Sequence, residues 1–253
     1  MLIWWDVTIA FMSRTEPRFH PRFLDNLKSF DGVDGWSFFG LNGCPIQLIF
    51  AMRTLAKLAS IYKKTTQMEW TIFDRTPVDA VIREVKAYVN EENVEWDELD
   101  DLEDDVDARR NRYYCVEAWR HAIWLYACRV FKPTLDDGEL RTIDYLSRYI
   151  LDCARCIPSS SMIQKQILLP IFLAATERGD AESRNMVRSY CAYWSEKSRT
   201  YHFDTAGVLL ERIWKDWYPS TRSHHWWGSK VDRHGWMEAD GTTKDFTAEV
   251  LLG

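Results

Sequence analysis

The spacing of apolar side chains predicts helices from about residue 44 onward. Leu48, Met52 and Leu55 recur at helical spacing while the neighbouring lysines lie off their stripe, which is typical of an amphipathic helix. A second helix is predicted over about 77–90, where a proline follows a threonine at the start. The chain therefore changes from glycine-containing apolar segments to regular helical periodicity near residue 44.

The same periodicity continues through the middle of the chain. Apolar residues from Val116 to Val130 predict a helix that ends near Pro133, and Asp136 with Glu139 matches a capping pair for the next helix. Further helices are predicted at about 161–177, 180–198 and 204–217, with Asp180 and Asp204 as N-caps and a kink at Pro170.

Signals for β-strands are weak, and the chain is predicted to be all-α. No Asn-Gly turn joins two alternating apolar runs, and no internal repeat or low-complexity linker divides the sequence. We therefore predict one multi-helix domain over 1–253, with a helical core at about 44–217. The first 43 residues and the last 30 are predicted to be irregular or short-helical.

Composition narrows the class of protein. The chain has 253 residues and a formal net charge of −6, which argues against nucleic-acid binding by this chain alone. Six cysteines are spread through predicted helices, which favours a reducing compartment, and the first residues lack the basic region and cleavage site of a signal peptide. We expect a chain that is not secreted and has no membrane span.

The motifs that bind metals or cofactors are incomplete in this sequence. We therefore predict no bound metal and no cofactor. Cys153 and Cys156 form a C-x-x-C pair without a second ligand pair. His224, His225 and His234 lack the spacing that brings two histidines onto one helix face. Residues 97–107 contain eight acids in eleven positions, which indicates a solvated helix face or, as the alternative, a patch for a partner.

Charged and aromatic residues in the central and later helices are the candidates for a pocket or for helix interfaces. They are Glu117, Trp119, Arg120, His121, Trp124, Arg184 and Trp214. The acids and arginines among them, with Glu177, are expected to form ion pairs between packed helices, and His121 to be buried and hydrogen-bonded. Thirteen tryptophans either line a cavity for an apolar ligand or fill the core. No catalytic residue is predicted.

Several segments, taken in order, resemble the helical regulatory domain of fungal zinc binuclear-cluster transcription factors. They are Trp4-Trp5-Asp6-Val7-Thr8, the stretch 34–45, the helix that begins Glu117-Ala118-Trp119-Arg120-His121, the segment 168–174, and the pair 180–184 and 209–214. The chain departs from the family at Leu169, where tryptophan is usual, and at Ala175, where glycine is common. It also lacks the six-cysteine pattern that binds two zinc ions.

The resemblance implies a transcription regulator in the nucleus, controlling metabolic or secondary-metabolite genes. Its expected partners are a small-molecule effector, and a full-length family member or a second copy. The alternative is a solitary domain that binds, or acts as an enzyme on, an apolar metabolite. Because the sequence begins inside a family motif, a fragment, a short gene model and a solitary regulatory domain all remain open at this point.

Overall fold

A computed structural model describes residues 2–30, 38–68, 70–90, 103–132, 134–217, 227–228, 236–237 and 243–244. Its helices are α1 Leu2–Ser13, α2 Arg22–Phe30, α3 Phe38–Asn42, α4 Ile46–Thr65, α5 Thr76–Ala87, α6 Glu103–Val130, α7 Asp137–Cys156, α8 Met162–Lys165, α9 Leu168–Thr176, α10 Ala181–Ser198 and α11 Tyr201–Lys215. Two-residue strands, β1 Trp236–Met237 and β2 Thr243–Lys244, pair antiparallel. The all-α prediction is confirmed.

The 28-residue helix α6 is the centre of the packing. It contacts α4, α5, α7, α8 and α9, and its buried side chains include Val116, Trp119, Leu125 and Ala127. These residues do not all fall on one stripe, and a helix with apolar residues on several faces is stable only where other helices cover each of those faces. As a result, α6 presents side chains to more than one layer of neighbouring helices.

Local capping signals predict two of the helix starts correctly. The Asp136 carboxylate accepts a hydrogen bond from the Glu139 amide at 2.8 Å, and the Glu139 carboxylate accepts one from the Asp136 amide at 3.0 Å. Asp180 caps α10 by accepting from the Ser183 amide at 2.8 Å. The prediction for Asp204 is wrong, because α11 begins earlier and Thr200 precedes its first residue.

The helix predicted over 161–177 is two helices, and the kink predicted at Pro170 does not occur. The chain leaves α8 at Gln166 and starts α9 at Leu168, so Pro170 is the third residue of a new helix. Amide groups in the first turn have no acceptor within their own helix, so a proline there removes no hydrogen bond. Because the chain breaks between α8 and α9, Pro170 lies in the first turn of a helix, and no kink is needed there.

Helical packing extends to Leu2 instead of beginning near residue 44. Helix α1 packs on α4, and its Phe11 ring stacks on Tyr126 of α6 with the ring centres 3.6 Å apart. The Tyr126 hydroxyl also donates to the Phe11 carbonyl at 2.6 Å. The predicted short-helical character of the first 43 residues is confirmed for α1, α2 and α3, and α1 belongs to the core.

Among the last 30 residues, the structure describes the side chain of Trp227. It is buried, and its ring lies 6.2 Å from Tyr126. Across the described ranges, the model contains no helix with the length and apolar character needed to span a membrane.

Candidate functional site

A cavity of about 530 Å³ lies between α1, α6, α9 and α11, with α3 and α8 at its edge. Its wall is mostly apolar and contains the indoles of Trp4, Trp5 and Trp119. The other large apolar side chains that line it are Met12, Leu41, Met162, Leu168, Leu169, Phe172 and Phe203. Its volume falls within the range of about 300–1,000 Å³ that is usual for small-molecule sites.

The indoles of the wall come from the first helix, α1, and from the central helix, α6. Trp4 of α1 meets Trp119 of α6 edge to face, with ring centres 5.3 Å apart and planes at 75°. Trp5 lies beside His202 of α11, with ring centres 5.6 Å apart. Trp119 is only 2% exposed, and among the described residues its indole N–H has no hydrogen-bond partner. The nitrogen itself is closed off from solvent, so the Trp119 ring contributes apolar surface to the cavity.

Several polar groups of the wall are already engaged within the protein. The Thr8 hydroxyl donates to the Trp4 carbonyl at 2.8 Å, and the Gln166 amide donates to the Gly40 carbonyl at 3.1 Å. The Asn42 side chain accepts from the Cys44 amide at 2.9 Å. The Gln166 bond joins the end of α8 to α3 at the cavity edge, whereas the other two bonds are local.

The described part of the cavity wall carries positive charge and no negative charge. Among the described residues that line the cavity none is aspartate or glutamate, whereas Lys165, the last residue of α8, does line it. Within the described part of the chain, the Lys165 ammonium group has no ion-pair partner. The cavity therefore combines an apolar wall with a cation that no carboxylate of the described residues neutralises.

Of the seven predicted residues, Trp119 alone lines this cavity. Glu117, Arg120 and His121 form a separate cluster beside α7 and the end of α5. Arg120 donates to the Glu117 carboxylate at 2.5 and 3.2 Å and to the Lys86 carbonyl at 3.2 Å. Asn90 donates to the other Glu117 oxygen at 3.2 Å. This cluster joins the chain after α5 to α6, which is a packing role.

His121 completes that cluster. Its Nδ1 lies 2.8 Å from the Glu117 carbonyl, and its ring centre lies 4.2 Å from that of Tyr149 on α7. Burial lowers the pKa of His121 below its usual value, because the charged imidazolium is poorly solvated there. The buried, hydrogen-bonded histidine expected from the sequence is therefore present, and it lies away from the cavity.

The remaining three predicted residues lie at two other places. Trp124 borders a groove of about 260 Å³, and the Lys86 ammonium lies 3.9 Å from its ring centre. Trp214 of α11 donates to the Ala175 carbonyl at 2.8 Å, and the Arg184 guanidinium lies 5.3 Å from the Trp214 ring centre. Arg184 thus joins α10 to α11 by stacking on an aromatic face, and Glu177 pairs instead with Arg129 at 3.2 Å.

The cysteines and histidines have the following places. All six cysteines are free thiols; Cys153 is buried and Cys156 is exposed at the end of α7. Among the described residues, no three His, Cys, Asp or Glu side chains come together as a metal site. His224, His225 and His234 lie outside the described residues, as does the acidic run over 97–102.

Sequence reasoning missed most of the cavity wall. The signal for Trp4 and Trp5 was the high tryptophan content, which left open whether the indoles line a cavity or fill the core. Leu169 was noted as a departure from the family's tryptophan, and this smaller side chain lines the cavity. Nothing in the sequence marked Lys165, because a lysine at the end of a short helix looks like any solvated surface residue.

A comparison against protein families gives a match that covers most of the chain. Residues 1–237 match the fungal specific transcription factor domain, and the chain belongs to this family. The resemblance noted in the sequence is confirmed, and membership supports the role of a transcription regulator and points to the nucleus. Searches of curated proteins and of solved structures found no match.

Proposed function

We propose that the chain is the effector-responsive regulatory domain of a fungal transcription regulator, and that an apolar small molecule binds in the cavity between α1, α6, α9 and α11. The observation that carries the proposal is the cavity itself, a mostly apolar space of about 530 Å³ with three indoles in its wall. Aromatic walls of this kind supply a large contact area to apolar ligands.

The position of the cavity supports a regulatory role. Its wall combines Trp4 and Trp5 of α1 with Phe203 and Ala206 of α11, which are about 200 residues apart in the chain. A ligand in contact with both helices stabilises the packing in which they come together. Regulation then follows from a population shift towards that packing, which changes what the domain presents to its partners.

The regulated genes and partners follow from the same proposal. We expect the genes to be those of metabolism, including secondary metabolism, and the partner to be a full-length family member or a second copy of this chain. We expect no sequence-specific DNA binding by the chain alone, because its net charge of −6 opposes the release of counterions that drives such binding. A solitary metabolite-binding protein or enzyme would use the same cavity. The enzyme alternative is the weaker one, because the contacts of Glu117, Arg120 and His121 join neighbouring segments of the fold.

Leu169→Trp is expected to weaken ligand binding at least about tenfold, which corresponds to about 1.4 kcal/mol. Leu169 lines the cavity and is buried, so the larger indole occupies space that a ligand would fill. The probe is N-phenyl-1-naphthylamine, a neutral apolar dye whose own fluorescence rises in apolar surroundings. Binding is measured by titration of the wild-type and variant proteins.

Val208→Trp is the matched control for this experiment. Val208 lies on α11 like Ala206, but it is exposed and is not part of the cavity wall. This variant adds an indole without filling the cavity, so its affinity for the dye should equal that of the wild type. Equal affinity of all three proteins would show that the dye binds elsewhere, and would count against the proposal.

A further inference from the structure

We propose that the ligand of this cavity is an amphipathic anion, with an apolar body against the indoles and a negatively charged head group at Lys165. This inference rests on the proposed function, because it assigns a chemical class to the molecule that the cavity binds. It is carried by the sign of the charge in the cavity wall and by the Lys165 ammonium group, which has no ion-pair partner among the described residues.

Lys165 carries a positive charge in the described part of the cavity wall. The Lys165 ammonium is partly buried and has no carboxylate partner among the described residues. Thr8, Asn42 and Gln166 have their hydrogen bonds within the protein. A complementary ligand therefore supplies acceptors, and a negatively charged acceptor forms the stronger bond with an ammonium group.

The electrostatics of the wall favour an anion over a cation. Three indoles would by themselves suit a quaternary ammonium ligand, because the face of an indole attracts cations. Lys165 opposes this, since a second cation in the same partly desolvated space is repelled. No described residue of the wall is acidic, so a ligand carboxylate, sulfonate or phosphate meets no like charge.

Trp119 and Lys165 differ in burial, and this difference fits a ligand whose two ends differ in polarity. Trp119 is almost completely buried, whereas Lys165 ends α8 and is partly exposed. Lysine commonly keeps its charged end near water while its methylene groups cover apolar surface. A ligand with its apolar body beside Trp119 and its charged group beside Lys165 keeps the head group partly hydrated, and this lowers the cost of burying it.

The test compares two dyes that share the same ring system. 1-Anilinonaphthalene-8-sulfonate carries a sulfonate, and N-phenyl-1-naphthylamine lacks it. In Lys165→Gln, the affinity for the sulfonate should fall about tenfold, because one charge-assisted interaction is lost. The affinity for the neutral dye should change less than twofold. Lys165→Arg keeps the charge and should retain the binding of the sulfonate.

Lys64→Gln is the control for net charge. Lys64 is exposed on α4 and is not part of the cavity wall, so this variant removes the same charge elsewhere and should bind both dyes like the wild type. Equal losses for both dyes in Lys165→Gln would overturn the assignment of an anion and leave the proposed cavity function standing. Absence of binding of either dye to the wild type would overturn the proposed function itself.

Discussion

Replacing Glu177 by glutamine is expected to lower the free energy of unfolding by about 3–5 kcal/mol. Glu177 follows α9 and lies 3.2 Å from the Arg129 guanidinium of α6, and each side chain is only 3% exposed. The variant removes the carboxylate charge from an ion pair that is almost fully buried, and removing one partner of a buried pair is among the most costly changes in a core. Urea unfolding followed by circular dichroism measures the change.

The double variant Arg129→Met with Glu177→Leu separates the cost of removing one partner from the value of the pair. Removing both charges replaces the ion pair by apolar contacts, so most of the lost stability should return. A single variant that unfolds within about 1 kcal/mol of the wild type would show that the pair is solvated and does not hold α6 to α9.

Trp194→Ala is expected to cost about 3–5 kcal/mol, because it removes a large side chain with 0% exposure from the core. The Trp194 indole of α10 also donates to Gln164 at 2.9 Å, and Gln164 donates to the Ile157 carbonyl at 2.7 Å. These bonds join α10 through α8 to the chain that follows α7. For a chain of this size the melting temperature should fall by roughly 6–20 °C.

A graded series tests this explanation. Trp194→Phe keeps most of the volume but leaves the Gln164 oxygen without its donor, so we expect a loss of about 1–3 kcal/mol. Trp70→Ala is the control, since Trp70 is 86% exposed and its removal should change stability by less than about 0.5 kcal/mol. Equal effects of Trp194→Ala and Trp70→Ala would contradict the packing described for α10.

Local signals predicted the helices where a short stretch of sequence decides the structure. The capping box of Asp136 and Glu139 needs only four residues, and it is present as predicted. The prediction for Pro170 failed because a proline can kink a helix or sit in the first turn of a new one, and distant packing decides between the two. Helix α1 was not placed in the core because its mostly apolar sequence has no polar face to give a helical period.

The cavity was less predictable than the fold for a physical reason. Its wall is formed by residues from α1, α3, α6, α8, α9 and α11, and no local pattern shows that these helices surround a common space. The sequence instead indicated charged residues near aromatic stripes as candidates for a pocket or for helix interfaces. Of these, Glu117, Arg120 and Arg184 lie at helix interfaces. Trp119 was among the predicted residues and lines the cavity, but no local signal shows which other side chains surround it in the fold.

Hydrogen–deuterium exchange with and without N-phenyl-1-naphthylamine tests the central claim most directly. Binding in the cavity should slow exchange in peptides from α1, α9 and α11, because a ligand that joins these helices opposes their local opening. Peptides from α5 and α10 should change little. Unchanged exchange in α1 and α11, or slowing confined to the groove beside Trp124, would contradict an effector site at this cavity.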